Sequence, residues 1–326
     1  MHQKVSRAIP LIFLMTVILL AGLALAQPPK LKVAASIVPL GDFCRQLGGD
    51  RVEVQVLIPP GASPHTFEPS PKTLTALAQA KVLVFIGSGL EPWMDRFLRT
   101  LRDPKPVLVE ATHGIDLIQD VPGHVKHQEA HEHKHPPAKS AVKAPKGSSH
   151  GHSHDHGAGN PHIWLDPILA QDICRRLAQA LMEADPANRS VYEQNLERYV
   201  GELSSLHNQI ASETAGFRVR EFVSFHPSFT YFARRYALKE VGVIEVAPGR
   251  EPTPRSLQNI KKALASYGIK VIFAEPQFSS RIAEVLARDA GASVLFLDPV
   301  GGHPPYGDDY LKMMQYNLET MAKAMK

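Results

Sequence analysis

The 326-residue sequence predicts an α/β fold of two similar lobes, each with a roughly four-stranded, mainly parallel sheet flanked by helices, joined by a long rigid helix. Three observations carry that expectation. Short, nearly continuous apolar runs alternate with helical patterns, as strands do when helices cover both faces of a parallel sheet. The alternation occurs twice, with about four strands in each half. Between the halves, residues 186–215 keep an apolar helical repeat through Leu196, Tyr199, Val200, Leu203, Leu206 and Ile210, and only Gly201 interrupts it after Pro186. A helix of that extent is on the order of 40 Å long and acts as a strut rather than a flexible linker.

In the first half the β-rich runs are residues 31–38, 52–58, 81–86 and 106–110, with a helix expected over 71–80. The second half repeats the theme at 222–225, 241–246, 270–274 and 292–297, separated by helical stretches at 228–238, 254–267 and 279–290. Residues 308–325 close the chain as a helix, with Leu311, Met314, Leu318, Met321 and Met325 on one face. The expected organisation is a leader at 1–26, an N-terminal lobe at 27–185, the linking helix at 186–215 and a C-terminal lobe at 216–326.

The leader reading rests on Lys4 and Arg7, an apolar run over 9–25 and the small-x-small ending Ala24-Leu25-Ala26. Together these read as a secretory signal peptide cut after Ala26. The run is near the length a bilayer needs, but the Pro-Pro that follows Gln27 opposes an uncleaved anchor. The expected location is therefore periplasmic. Export permits a disulfide between Cys44 and Cys174, although both lie in apolar helical patterns where buried thiols are the equal alternative. With 36 basic and 32 acidic side chains the chain lacks the basic stripe of a nucleic-acid binder.

Histidine is the anomaly: nine of sixteen fall within residues 124–156. These are His124, His127, His131, His133, His135, His150, His152, His154 and His156, in a segment at 120–159 rich in Lys, Pro, Ser and Gly and expected to be disordered. Alternating imidazoles on an unconstrained chain predict multiple, weak metal binding. Four other side chains follow strands or precede helices on the edge where open parallel sheets bind ligands. They are His65, His162, His226 and Asp298, two from each half, so the expected site lies in the cleft between lobes. Three imidazoles and one carboxylate suit Zn²⁺. His113, His207 and His303 do not share that placement and read as structural.

The motifs around these positions, Pro64-His65-Thr66-Phe67-Glu68-Pro69, Asn160-Pro161-His162-Ile163-Trp164-Leu165-Asp166-Pro167, Phe225-His226-Pro227-Ser228-Phe229 and Leu297-Asp298-Pro299-Val300-Gly301, span nearly the whole mature chain. Taken with the signal peptide, they resemble the zinc-binding (ZnuA-type) solute-binding proteins of bacterial metal ABC importers, cluster A-I. The resemblance implies a monomer that carries zinc between two lobes to a membrane permease. It also implies that His226, where the manganese branch usually has Glu, favours zinc. Pro64 stands where some zinc-branch members carry Glu, which leaves Asp298 or a water as fourth ligand. A manganese or iron carrier of the same fold is the alternative function. A zinc hydrolase is the other alternative, but no H-E-x-x-H helix, nucleophile elbow or paired carboxylates support it. The expectation is a carrier and not an enzyme.

Overall fold

The computed structural model describes residues 29–102, 105–119, 159–245, 249 and 251–326. The expected signal peptide and all nine histidines of residues 124–156 lie outside them. Among the described residues no helix is long and apolar enough to cross a membrane.

The first sheet comprises β1 (Leu31–Ala35), β2 (Val52–Val56), β3 (Val82–Phe85) and β4 (Val107–Glu110) in the order β2-β1-β3-β4. The second comprises β5 (Glu221–Ser224), β6 (Lys239–Val243), β7 (Val271–Ala274) and β8 (Ser293–Phe296) in the matching order β6-β5-β7-β8. Every pairing is parallel. The order reverses beside β1 and β5, which places the ligand-binding crevice of each sheet at the carboxyl ends of its two central strands. Strand β6 begins two residues before its expected start. Lys239 and Glu240 mask that start with charge, and they are accommodated because β6 is an edge strand. Glu240 also turns its carboxyl onto the Ser224 and Thr230 hydroxyls.

Helices α1 (Val38–Gly48), α2 (Pro71–Leu77) and α3 (Met94–Leu98) belong to the first sheet, and α4 (Pro167–Ala184) follows a short 3₁₀ turn at Ile163–Leu165. Helix α1 buries Leu40, Phe43, Cys44 and Leu47, a stripe at helical spacing. Asp166 caps α4 by accepting from Ile168 N at 2.9 Å. The long helix α5 (Arg189–Ala215) has 27 residues and starts three later than expected, because Pro186–Asn188 forms a separate 3₁₀ turn. That turn is held by Asp185, whose Oδ2 accepts from Asn188 Nδ2 and the Tyr192 hydroxyl. Beyond α5, the second sheet is covered by α6 (Thr230–Arg235), α7 (Pro254–Ser266) and α8 (Arg281–Ala290). The closing helix α9 (Tyr310–Met325) packs back onto α5 and α1.

One apolar cluster runs from β1 and β3 through α1, α4 and α5 to Phe222, Phe273 and the α9 methionines Met313, Met314 and Met321. The lobes therefore share a core around the strut, while two smaller clusters fill the outer faces of the sheets. Cys44 and Cys174 are buried free thiols within the shared core, and burial pushes both thiol pKa values up.

Candidate metal centre

Each of the three histidines is carried by a short proline-containing connection at the edge of a sheet. His65 follows β2 in a turn closed by Thr66 N and Phe67 N, both donating to Ser63 O. His162 follows Asn160-Pro161 and precedes the 3₁₀ turn at Ile163–Leu165, which is entirely buried. His226 stands two residues after the end of β5 and is extended (φ −131°, ψ 150°), the conformation that the following Pro227 imposes.

These connections bring three imidazoles together. His65, His162 and His226 each offer a ring nitrogen within 4.8 Å of the others, and this is the group among the described residues able to hold a metal ion. His65 Nε2 and His162 Nε2 stand 3.2 Å apart. In a tetrahedral zinc site with bonds of roughly 2.0–2.1 Å, donor atoms lie about 3.3–3.4 Å from one another, so this pair already spans one tetrahedral edge. Trp164, Phe278, Pro299 and Val300 supply apolar walls to a cavity of about 10 Å³, about the space a single water needs.

Hydrogen bonds on the far side of two rings set their tautomers. Asn160 spends its amide N–H groups on Pro227 O at 2.7 Å and the Thr230 hydroxyl at 3.1 Å, so its Oδ1 faces His162. That oxygen accepts from His162 Nδ1 at 2.8 Å and from His162 N at 2.9 Å. Since an amide oxygen can only accept, the proton sits on Nδ1 and the Nε2 lone pair faces the cavity. His226 Nδ1 lies 2.7 Å from Ser228 Oγ, which in turn donates to Glu275 Oε1 at 2.8 Å. This relay leaves the Nε2 lone pair of His226 free as well.

The electrostatics agree. Burial lowers the pKa of His65 to about 4. Burial, and after it the neighbouring histidines, hold His162 and His226 well below the usual imidazole value. All three rings are neutral at neutral pH, the form a metal requires. Burial pushes the Glu275 carboxyl upward, with the Ser228 hydroxyl opposing, and a cation in the cavity would also oppose it.

The structure does not bring Asp298 into the histidine group. It follows β8 as expected, but Oδ1 accepts from Gln277 Nε2, Val300 N and Gly301 N at 2.8–2.9 Å, and Oδ2 from the Tyr306 hydroxyl at 2.6 Å. Both carboxylate oxygens are therefore already hydrogen-bonded within Asp298's own surroundings. Asn160, Ser228 and Gln277 were not anticipated. The first two stand two residues from a histidine inside the quoted motifs, and a short polar side chain at that spacing was the available signal. His207, away from the cavity, pairs with the Tyr236 hydroxyl at 3.1 Å.

Residues 33–324 match the family described as zinc-uptake complex component A, periplasmic (ZnuA). The chain belongs to the ZnuA family. It is 29% identical over 308 residues to the high-affinity zinc uptake system protein ZnuA of Bacillus subtilis, covering 93% of this chain and 90% of that one. It is also 29% identical over 296 residues to the zinc-binding protein AdcA of Streptococcus pyogenes. That alignment takes in 90% of this chain but only 55% of AdcA, so the chain spans about half the length of that relative. A solved structure of a ZnuA deletion mutant with zinc bound superposes with a TM-score of 0.74 at 30% identity, over 91% of this chain and 99% of that one. The two-lobed fold of the ZnuA family is thus the fold expected from the alternation of strands and helices.

Proposed function

We propose that this protein captures Zn²⁺ outside the inner membrane, between its two lobes, and delivers it to the permease of an ABC importer. His65, His162 and His226 hold the ion. In this reading a signal peptide is removed after Ala26, and lobes at 27–185 and 216–326 flank the strut at 186–215.

The observation that carries the reading is the meeting of three neutral imidazoles, contributed by both lobes, with two Nε2 atoms already one tetrahedral edge apart. Nitrogen donors suit zinc, whereas magnesium, calcium and manganese favour oxygen-rich shells. The names of the matched relatives, zinc uptake in one and zinc binding in the other, support the same cargo.

Titrating zinc, and separately manganese, into metal-free mature protein tests it. One tight zinc equivalent is expected, which manganese fails to displace and which His226→Ala weakens by at least a hundredfold. Equal affinity for zinc in the wild type and in the His226→Ala protein would remove the cleft site from consideration.

A further inference from the structure

We propose that Gln277 completes the zinc site from outside the coordination shell: its side-chain oxygen accepts a hydrogen bond from a water bound at the fourth position of the ion. Asp298 is the residue that holds Gln277 in place. The inference rests on the three-histidine reading and adds the residue that governs the remaining position.

Three histidines leave a tetrahedral zinc one ligand short. Of the carboxylates around the site, Glu275 lines the cavity while Asp298 is not among the lining residues, and both accept hydrogen bonds from other groups. Glu275 Oε1 accepts from Ser228, and Asp298 takes four donors on its two oxygens. The same cavity, however, is lined by two polar atoms that lack partners. Gln277 Oε1 and Ser63 Oγ are both buried without a hydrogen bond, and both residues line the space that His65, His162 and His226 face. Buried polar groups are nearly always satisfied, so two such atoms around one small cavity mark the place of a polar occupant.

Chemistry settles which end of the Gln277 amide is available. Nε2 donates to Asp298 Oδ1 at 2.8 Å. Asp298 Oδ1 is an acceptor there, since the same oxygen also receives Val300 N and Gly301 N. Oε1 is left over, an acceptor with no donor. A zinc-bound water is polarised and donates strongly, and Ser63 Oγ can accept a hydrogen bond from its second O–H. This arrangement explains why Asp298 is so heavily hydrogen-bonded without touching the histidines: it positions Gln277. It also keeps the shell neutral in its protein ligands, because an amide oxygen adds no charge and no hard anionic donor for manganese.

The test loads the mature full-length chain with one equivalent of Co²⁺, whose visible spectrum reports coordination, and measures zinc affinity alongside. The variants are Gln277→Leu, which deletes the acceptor, and Gln277→Glu, which puts a carboxylate in the same space. The wild-type cobalt spectrum is expected to shift when azide replaces the water. Gln277→Leu should bind zinc about tenfold more weakly and give an altered cobalt spectrum, in keeping with the 10–100-fold cost of removing such supporting contacts. Gln277→Glu should lose the azide response and gain manganese affinity as its carboxylate enters the shell. Thermal melting of each metal-free variant checks that it folds. If folded Gln277→Leu matches the wild type in zinc affinity, cobalt spectrum and azide response, Gln277 has no such role. If the wild type binds no stoichiometric cobalt or zinc, the histidine site itself fails, an outcome separate from the first.

Discussion

Zinc binding by this protein should release almost no protons at pH 6. An imidazole of ordinary pKa, near 6.5, is about three-quarters protonated at that pH, so three of them would give up roughly 2.3 protons as the metal enters. His65, with its pKa lowered to about 4, is protonated in about one molecule in a hundred. Burial, and after it the adjoining rings, hold His162 and His226 well below the ordinary value too. The expected release is therefore near zero. The affinity retained at pH 6, relative to unperturbed rings, is about 0.8 kcal/mol per histidine. The assay is calorimetric titration of zinc in two buffers of different ionisation enthalpy. It uses mature protein lacking residues 124–156, so that the segment histidines do not contribute protons of their own. Release of two or more protons per zinc would mean that the folded site does not hold its rings neutral, and the account of their burial would be wrong.

Four further outcomes follow from the same contacts. The unfolded chain protonates these histidines near pH 6.5 while the folded protein keeps them neutral, so stability is lost as pH falls below 6.5. The loss is up to about 1.4 kcal/mol per pH unit for each histidine, and a urea midpoint for metal-free protein that is unchanged between pH 7 and 5.5 would contradict it. Ser228→Ala and Asn160→Ala each remove the partner of a ring Nδ1, and competition with a zinc chelator should show affinity falling roughly 10–100-fold. Tyr310→Phe deletes the hydroxyl that donates to Trp164 O at 2.7 Å and should cost about 1 kcal/mol in denaturant unfolding, with zinc stoichiometry unchanged. Removing residues 124–156 should abolish the weak additional zinc equivalents and leave the tight one, whereas unchanged total stoichiometry would deprive the segment histidines of a metal role.

Much of the fold was legible because apolar periodicity is a property of burial, and this protein buries its central strands on both sides. Runs such as 81–86 and 270–274 announce β3 and β7 because helices cover both faces. Where an edge strand carries Lys239 and Glu240, the pattern fails and its start moves. The three histidines were legible for a different reason. Each sits beside a proline in a connection that follows a strand or precedes a helix, and parallel sheets collect such connections on one side. Asp298 had the same placement, yet a carboxylate after a strand can equally serve its own loop, and only coordinates show Val300 N, Gly301 N and Tyr306 converging on it. Gln277 was hidden because its role depends on an orphaned oxygen, which no spacing rule reveals.

The site draws on both lobes, so its geometry is only as good as their relative placement, and the chain fastens that placement close to the ligands. Trp164, two residues after His162, donates from Nε1 to Pro299 O at 2.7 Å, and Asn160 reaches Pro227, the neighbour of His226. The Tyr231 hydroxyl donates to Asn160 O at 2.8 Å, and Arg235 meets the α4 cap Asp166 at 2.7 Å. Gly302 packs against Pro60 in the loop that carries His65, at a positive φ of 88° where a Cβ would come within 2.6 Å of the Pro60 ring. Asp42 on α1 accepts from Tyr310 N at the start of α9, and α9 lies against the strut. A flexible pair of lobes would have to be ordered by the metal, and that ordering would subtract from affinity. Here the cross-lobe bonds, the shared core and the strut order the lobes during folding. On the proposed function, metal binding then has little left to arrange beyond the ion's own dehydration, and the prior placement of the three imidazoles contributes directly to affinity and selectivity.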